Sequence, residues 1–133
     1  TGEAAGAALT AHPDVDKVAF TGSTEVGKLL VRAAAGNLKK VTLELGGKSP
    51  MIVMPDADVE RAGTGLGMAA FFMSGQNCMC GSRLFIHEKV FDRVLEGVAR
   101  VANGIRVGPG LAPETQIGPL ISSRQRERVH GYV

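Results

Sequence analysis

The spacing of apolar residues changes twice between residues 15 and 54, and this change commits the chain to an alternating α/β architecture. The run VDKVAFTGS is short and apolar and ends at Gly22, the mark of a buried strand entering a turn. TEVGKLLVRAAAGN then sets Val26, Leu29, Leu30 and Ala33 or Ala34 at helical spacing and stops at Gly36-Asn37. KKVTLELGGKSP returns to a β-branched and leucine run broken by Gly46-Gly47. After it, MIVM predicts a further short strand closed by Pro55-Asp56. Strand, helix, strand is a βαβ unit.

The flanking segments read in the same terms. GEAAGAALTAH predicts a helix of small residues. With Asp56 or Asp58 as cap, the stretch from Val59 to about Ser74 predicts a long helix, rich in Ala, Gly and Met and largely buried. GSRLFIHEKV predicts a strand after a Gly-Ser turn. FDRVLEGVARVANGI predicts an amphipathic helix with Val94, Leu95, Val98 and Val101 inward. RVGPGLAPETQIGPL is a Pro/Gly-rich connection, and a last helix begins near Ser122 or Ser123.

Composition agrees with a Gly-rich α/β segment rather than a disordered or fibrous chain: 133 residues, 44% hydrophobic, 18 Gly, net charge +2. No stretch approaches the roughly 18 consecutive apolar residues of a membrane span, so no membrane partner is expected. The opening TGEAAGAALTAH lacks the charged start and apolar centre of a signal peptide. It also begins inside a helix, at Thr1 rather than Met, which points to a piece of a longer chain. Cys78 and Cys80 lie too close in sequence for an ordinary structural disulfide, which implies a reducing, cytoplasmic setting. Arg124, Arg126 and Arg128 alternate with polar residues and read as a solvated helix face. With one Tyr and no Trp to stack bases, no nucleic-acid partner is expected.

Three segments carry candidate chemistry. In FTGSTEVGK a strand, a Gly-Ser turn and a helix start place Ser23 or Thr24 where backbone N–H groups and the helix dipole favour a phosphate, and Gly22 permits close approach. Such a Ser-Thr pair is more commonly an N-cap and nothing else. In VTLELGGKSP, Glu44 stands between Leu43 and Leu45; a carboxylate in apolar company can take a proton from water near neutral pH. The plainer reading is a glutamate on the exposed face of an alternating strand. In FFMSGQNCMCGSR, Cys78 sits in a short polar turn bracketed by Gly75 and Gly81, as an accessible thiol would, while Cys80 reads as a small packing residue. His12, His87 and His130 are scattered, so no metal site is expected and a Cys/His protease is disfavoured.

Taken together, FTGS at 20–23, LELGGKSP at 43–50 and GQNC at 75–78 resemble the aldehyde dehydrogenase superfamily. The resemblance extends through DVDKVAFTGSTEVGK, PDADVERA, GSRLFIHEKVFD and ETQIGPLISSRQ, essentially the whole chain. It implies NAD or NADP as cofactor, an aldehyde as substrate, Cys78 as nucleophile and Glu44 as general base. It further implies Ser23 at the cofactor pyrophosphate, Gly22 near the nicotinamide, the Leu45 carbonyl on its carboxamide, and Phe72, Asn77 and Met79 along the aldehyde tunnel. By the same resemblance, residues 1–46 end a Rossmann-like cofactor-binding domain and 47–133 begin the α/β catalytic domain of a homodimer or homotetramer.

The chain departs from the family at Met73, where many members have Asn, and at Cys80, where many have Ala. Both could alter the tunnel, and Cys80 could resolve an oxidised Cys78. The implied reaction is oxidation of an aldehyde to its acid through a thioester. A CoA-acylating member is the alternative within the family, disfavoured because such members typically lack the glutamate that stands here as Glu44. Outside it, the alternative is a non-catalytic fragment: the oxyanion Asn and the cofactor ribose contacts lie outside these residues, so the isolated chain is expected to turn over little or not at all.

Overall fold

The computed structural model describes residues 1–133 and contains two compact units, Thr1–Gly46 and Gly47–Val133. Both are mixed α/β, as the sequence predicts, and no helix is long and apolar enough to cross a membrane.

The first unit opens with a π-helical turn at Gly2–Gly6 that runs into α1 (Ala7–Ala11). Strand β1 (Lys17–Gly22), helix α2 (Thr24–Ala34) and strand β2 (Lys40–Leu45) follow. The strands pair in parallel from Lys17↔Lys40 to Gly22↔Leu45, which an intervening helical crossover allows and a tight hairpin does not. Helix α2 begins at Ser23, whose Oγ accepts the Val26 N–H at 3.2 Å. It lies close on the strands because Gly27 has no side chain: a Cβ there would stand 2.9 Å from Leu45 Cδ2 and 3.6 Å from Leu43 Cδ1. The buried stripe is therefore Gly27, Leu30 and Ala34, and Val26 and Leu29 are 41% and 58% exposed rather than inward. The closest approach, at a glycine, rotates the face that apolar spacing alone selects. At the far end of α2 the left-handed residue is Leu38 (φ 56°), not Gly36 or Asn37. Asn37 instead donates its amide to the carbonyls of Pro13 (2.8 Å) and Val15 (3.2 Å), tying the helix end to the segment that leads into β1.

The second unit repeats the crossover with β3 (Ser49–Val53), α3 (Val59–Phe71) and a parallel β4 (Gly81–Ile86). The pairing shifts register between Ser49 and Pro50. Asp58 caps α3 by accepting the Arg61 N–H at 3.1 Å. Helices α4 (Phe91–Gly104) and α5 (Ser123–His130) follow, α5 capped by Ser122. The core joins Val53, Val59, Leu66, Val90, Val94 and Val98, with Leu84 and Ile86 packed against it. Each such buried side chain contributes on the order of 1.5–3 kcal/mol. Helices α3 and α4 cross backbone to backbone: a Cβ on Gly63 would lie 2.8 Å from Gly97 Cα, and one on Gly67 would lie 2.7 Å from Val101 Cβ. The Glu60–Arg100 ion pair (2.7 Å) also spans the two helices but is well exposed, so the glycine contact and the valine core set the packing.

Two expectations change here. Helix α3 buries only Val59, Gly63, Leu66 and Gly67, with Met68 65% exposed, and Leu95 of α4 is exposed rather than inward. Each helix packs chiefly through a glycine-bearing stripe within this unit, which leaves Met68 and Leu95 outside it.

Candidate active site

The four candidate residues of the first unit converge at one end of its strand pair. Register sets Gly22 opposite Leu45 and Thr21 opposite Glu44, with Ser23 next in the chain. That end is the carboxyl end of both strands, where open α/β sheets receive their ligands. Leu43 and Leu45 both turn toward Gly27 of α2, and strand alternation therefore sends Glu44 to the opposite face, where it is exposed. The apolar company suggested by its sequence neighbours is thus not company in space. Ser23 acts as an N-cap, its hydroxyl engaged by Val26 N–H. Gly22 has a packing reason of its own, since a Cβ would run into the Phe20 ring.

In the second unit, α3 stops at Phe71 and the chain passes through Phe72 into three consecutive left-handed residues, Met73 (φ 51°), Ser74 (φ 59°) and Gly75 (φ 70°). Glycine takes this shape freely, whereas Met73 and Ser74 each pay roughly 1–2 kcal/mol for it. The turn closes where Gln76 N–H donates to Met73 O at 3.1 Å. Cys78 follows, exposed, in a turn organised by Asn77. The Asn77 Oδ1 accepts Met79 N–H at 2.9 Å and lies 3.6 Å from Cys78 Sγ, and Asn77 O accepts Cys80 N–H at 3.1 Å. Gly47 presses on this turn from the other side: a Cβ there would stand 2.9 Å from Cys78 O, a backbone atom with little room to yield.

Phe72, Asn77 and Met79 come together in the structure. With Met68, Ala69 and Cys80 they line a cavity of about 310 Å³ beside the cysteine turn. Met68 and Ala69 were not singled out by sequence, although Met68 and Phe72 stand four residues apart at the end of a helix, the spacing that places side chains on one face. Cys80 is buried, its thiol 3.4 Å from Phe72 O, in the packing role expected of it. No group of three or more His, Cys, Asp or Glu side chains is arranged to hold a metal ion.

This architecture is the aldehyde dehydrogenase fold. A solved NAD+ complex of aldehyde dehydrogenase from Bacillus cereus superposes with a TM-score of 0.95 at 48% identity, covering 99% of this chain and 27% of that one. The family model for the aldehyde dehydrogenase family matches residues 1–133, and the chain belongs to that family. Similar curated relatives include the putative aldehyde dehydrogenase DhaS of Bacillus subtilis (strain 168), 52% identical over 99% of this chain and 27% of its own length. The phenylacetaldehyde dehydrogenase of Pseudomonas fluorescens is 48% identical over 96% of this chain and 26% of its own length. The chain thus spans about a quarter of the relatives it matches.

Proposed function

We propose that the protein carrying this chain oxidises an aldehyde to a carboxylic acid with NAD or NADP, Cys78 serving as nucleophile and Glu44 as general base. The observation that carries this reading is Cys78 itself, an exposed thiol in an Asn77-organised turn beside the cavity of Phe72, Asn77 and Met79. Family membership and the order of the three motifs support it. Residues 1–46 close the cofactor-binding domain in this reading and residues 47–133 open the catalytic one, a boundary consistent with the two compact units.

The residues present fit a dinucleotide. The carboxyl ends of β1 and β2 and the first turn of the eleven-residue α2 form a ligand edge with Gly22, Ser23 and Leu45 on it, and a similar solved structure is an NAD+ complex. A dinucleotide held at this edge would supply the hydride acceptor for the oxidation. The Cys78 thiolate attacks the aldehyde carbon, forming a C–S bond, and the oxyanion is held by the Cys78 backbone N–H together with an Asn supplied from outside these residues. After oxidation the substrate is a thioester on Cys78. Glu44 takes a proton from water as the water oxygen attacks that carbon, and cleavage of the C–S bond releases the acid and restores the thiolate. An exposed face gives Glu44 access to water, and its presence favours hydrolysis over transfer to CoA. Two free cysteines support a reducing compartment such as the cytoplasm, and family resemblance supports a homodimer or homotetramer.

The test is formation of NADH or NADPH by the full-length protein across an aldehyde panel, with Cys78→Ala beside it. Cys78→Ala is expected to lose turnover by about a thousandfold or more. Retained turnover in that variant would remove Cys78 from the chemistry.

A further inference from the structure

The left-handed stretch at 73–75 is not held by its own residues alone. The Ser74 hydroxyl donates to Gly118 O at 3.0 Å, and the Ile121 N–H donates to Gln76 Oε1 at 3.0 Å, contacts spanning 44 and 45 residues of sequence. The same Gln76 side chain donates from Nε2 to Met73 O at 3.4 Å, so one amide bridges the strained turn and the distant segment. The distant segment is itself fixed at both ends. Upstream, Val107 bridges to Ile117, Gly108 N–H donates to Ile117 O (3.1 Å), and Gln116 and Ile117 donate to Arg106 O (2.9 and 3.2 Å). Downstream, Ser122 caps α5 by accepting Gln125 N–H at 3.2 Å.

We propose that Ser74 and Gln76 are positioning residues that latch the left-handed turn onto the backbone of Gly118 and Ile121 and so fix where Cys78 stands. The proposal rests on Cys78 being the nucleophile. Non-glycine residues persist in left-handed backbone only when their surroundings over-determine them, and the two latch contacts are the longest-range constraints on this turn. Cys78 lies two residues beyond Gln76, so relaxation of residues 73–75 moves its thiol directly. Neither Ser74 nor Gln76 reaches the cavity lining, so the latch acts through geometry and not by touching substrate.

The experiment uses the full-length protein with Gln76→Met, Ser74→Ala and Ile121→Pro, the last removing the N–H from the far side of the latch. Gln76→Met keeps the length of the side chain while losing both of its hydrogen bonds. Because a shift of about 1 Å in a reacting group can cost roughly a hundredfold, kcat is expected to fall about ten- to a hundredfold with KM within about twofold. Gln76→Met combined with Ile121→Pro is expected to be no slower than the slower single variant, since both break one contact. Amide exchange at Ile121 is expected to accelerate in Gln76→Met. Wild-type kcat in both Gln76→Met and Ser74→Ala, or fully multiplicative losses in the double variant, overturns the latch. Should Gln76→Met not fold, Ser74→Ala carries the same reading. Unchanged Ile121 exchange in Gln76→Met removes the latch whatever Cys78 does, whereas turnover surviving Cys78→Ala removes the nucleophile and leaves the exchange result standing.

Discussion

In Thr1–Gly46 the β1–α2–β2 crossover pairs its strands without interruption from Lys17↔Lys40 to Gly22↔Leu45. In Gly47–Val133 the β3–α3–β4 crossover slips between Ser49 and Pro50, and its return to β4 passes through three left-handed residues. One supersecondary plan thus presents candidate groups in two ways. The first unit offers Gly22, Ser23, Glu44 and Leu45 from the regular ends of strands, where register alone brings them together. The second offers Cys78 from irregular backbone, which has to be held by Asn77, Gly47 and contacts from far along the chain. A regular edge suits backbone-level recognition of a cofactor. A strained turn suits a single thiol whose position matters to fractions of an ångström.

This contrast can be broken most severely at Glu44. Glu44→Gln is expected to leave the first turnover intact and slow release of the acid by about a hundredfold or more, seen as a burst of reduced cofactor followed by a stalled rate. Loss of the burst itself would move Glu44 to an earlier step. Next in size is Gly47→Ala, whose Cβ must displace the Cys78 carbonyl. A fall in kcat of about tenfold with little change in thermal midpoint is expected, and an unchanged kcat would show that the turn yields more readily than its packing suggests. Gly63→Ala drives a methyl into Gly97 and is expected to destabilise the protein by about 1–3 kcal/mol in denaturant unfolding. Smallest is Ser23→Ala, which removes the α2 cap for about 1 kcal/mol. If its Michaelis constant for cofactor also rises, the serine does more than cap.

Element types were largely legible in the sequence, because each change of apolar period between VDKVAFTGS, TEVGKLLVRAAAGN and KKVTLELGG corresponds to a real change of backbone. Helix faces were less so. Val26, Leu29 and Leu95 belong to apolar stripes by spacing, yet the helices pack through Gly27, Gly63 and Gly97, where the absence of a side chain sets the contact and hydrophobicity gives no signal. For Glu44 the plainer of its two readings holds, an exposed face of an alternating strand, because neighbours in sequence lie on opposite faces of a strand. The left-handed stretch lay hidden because Met73 and Ser74 are poor residues for it, and partners as distant as Gly118 and Ile121 help to hold it. The cysteine turn was legible, its Gly75 and Gly81 brackets marking a break between helix and strand.

The glycine crossing of α3 and α4 has a mechanical meaning as well. With no side chain at Gly63 or Gly97 there are no rotamers to absorb a push, so a displacement of either helix is transmitted along its axis like load along a rod. Gly67, sealed by Val101, carries that load to within five residues of Phe72. Helix α3 is therefore a stiff strut between the α4 crossing and the cysteine turn.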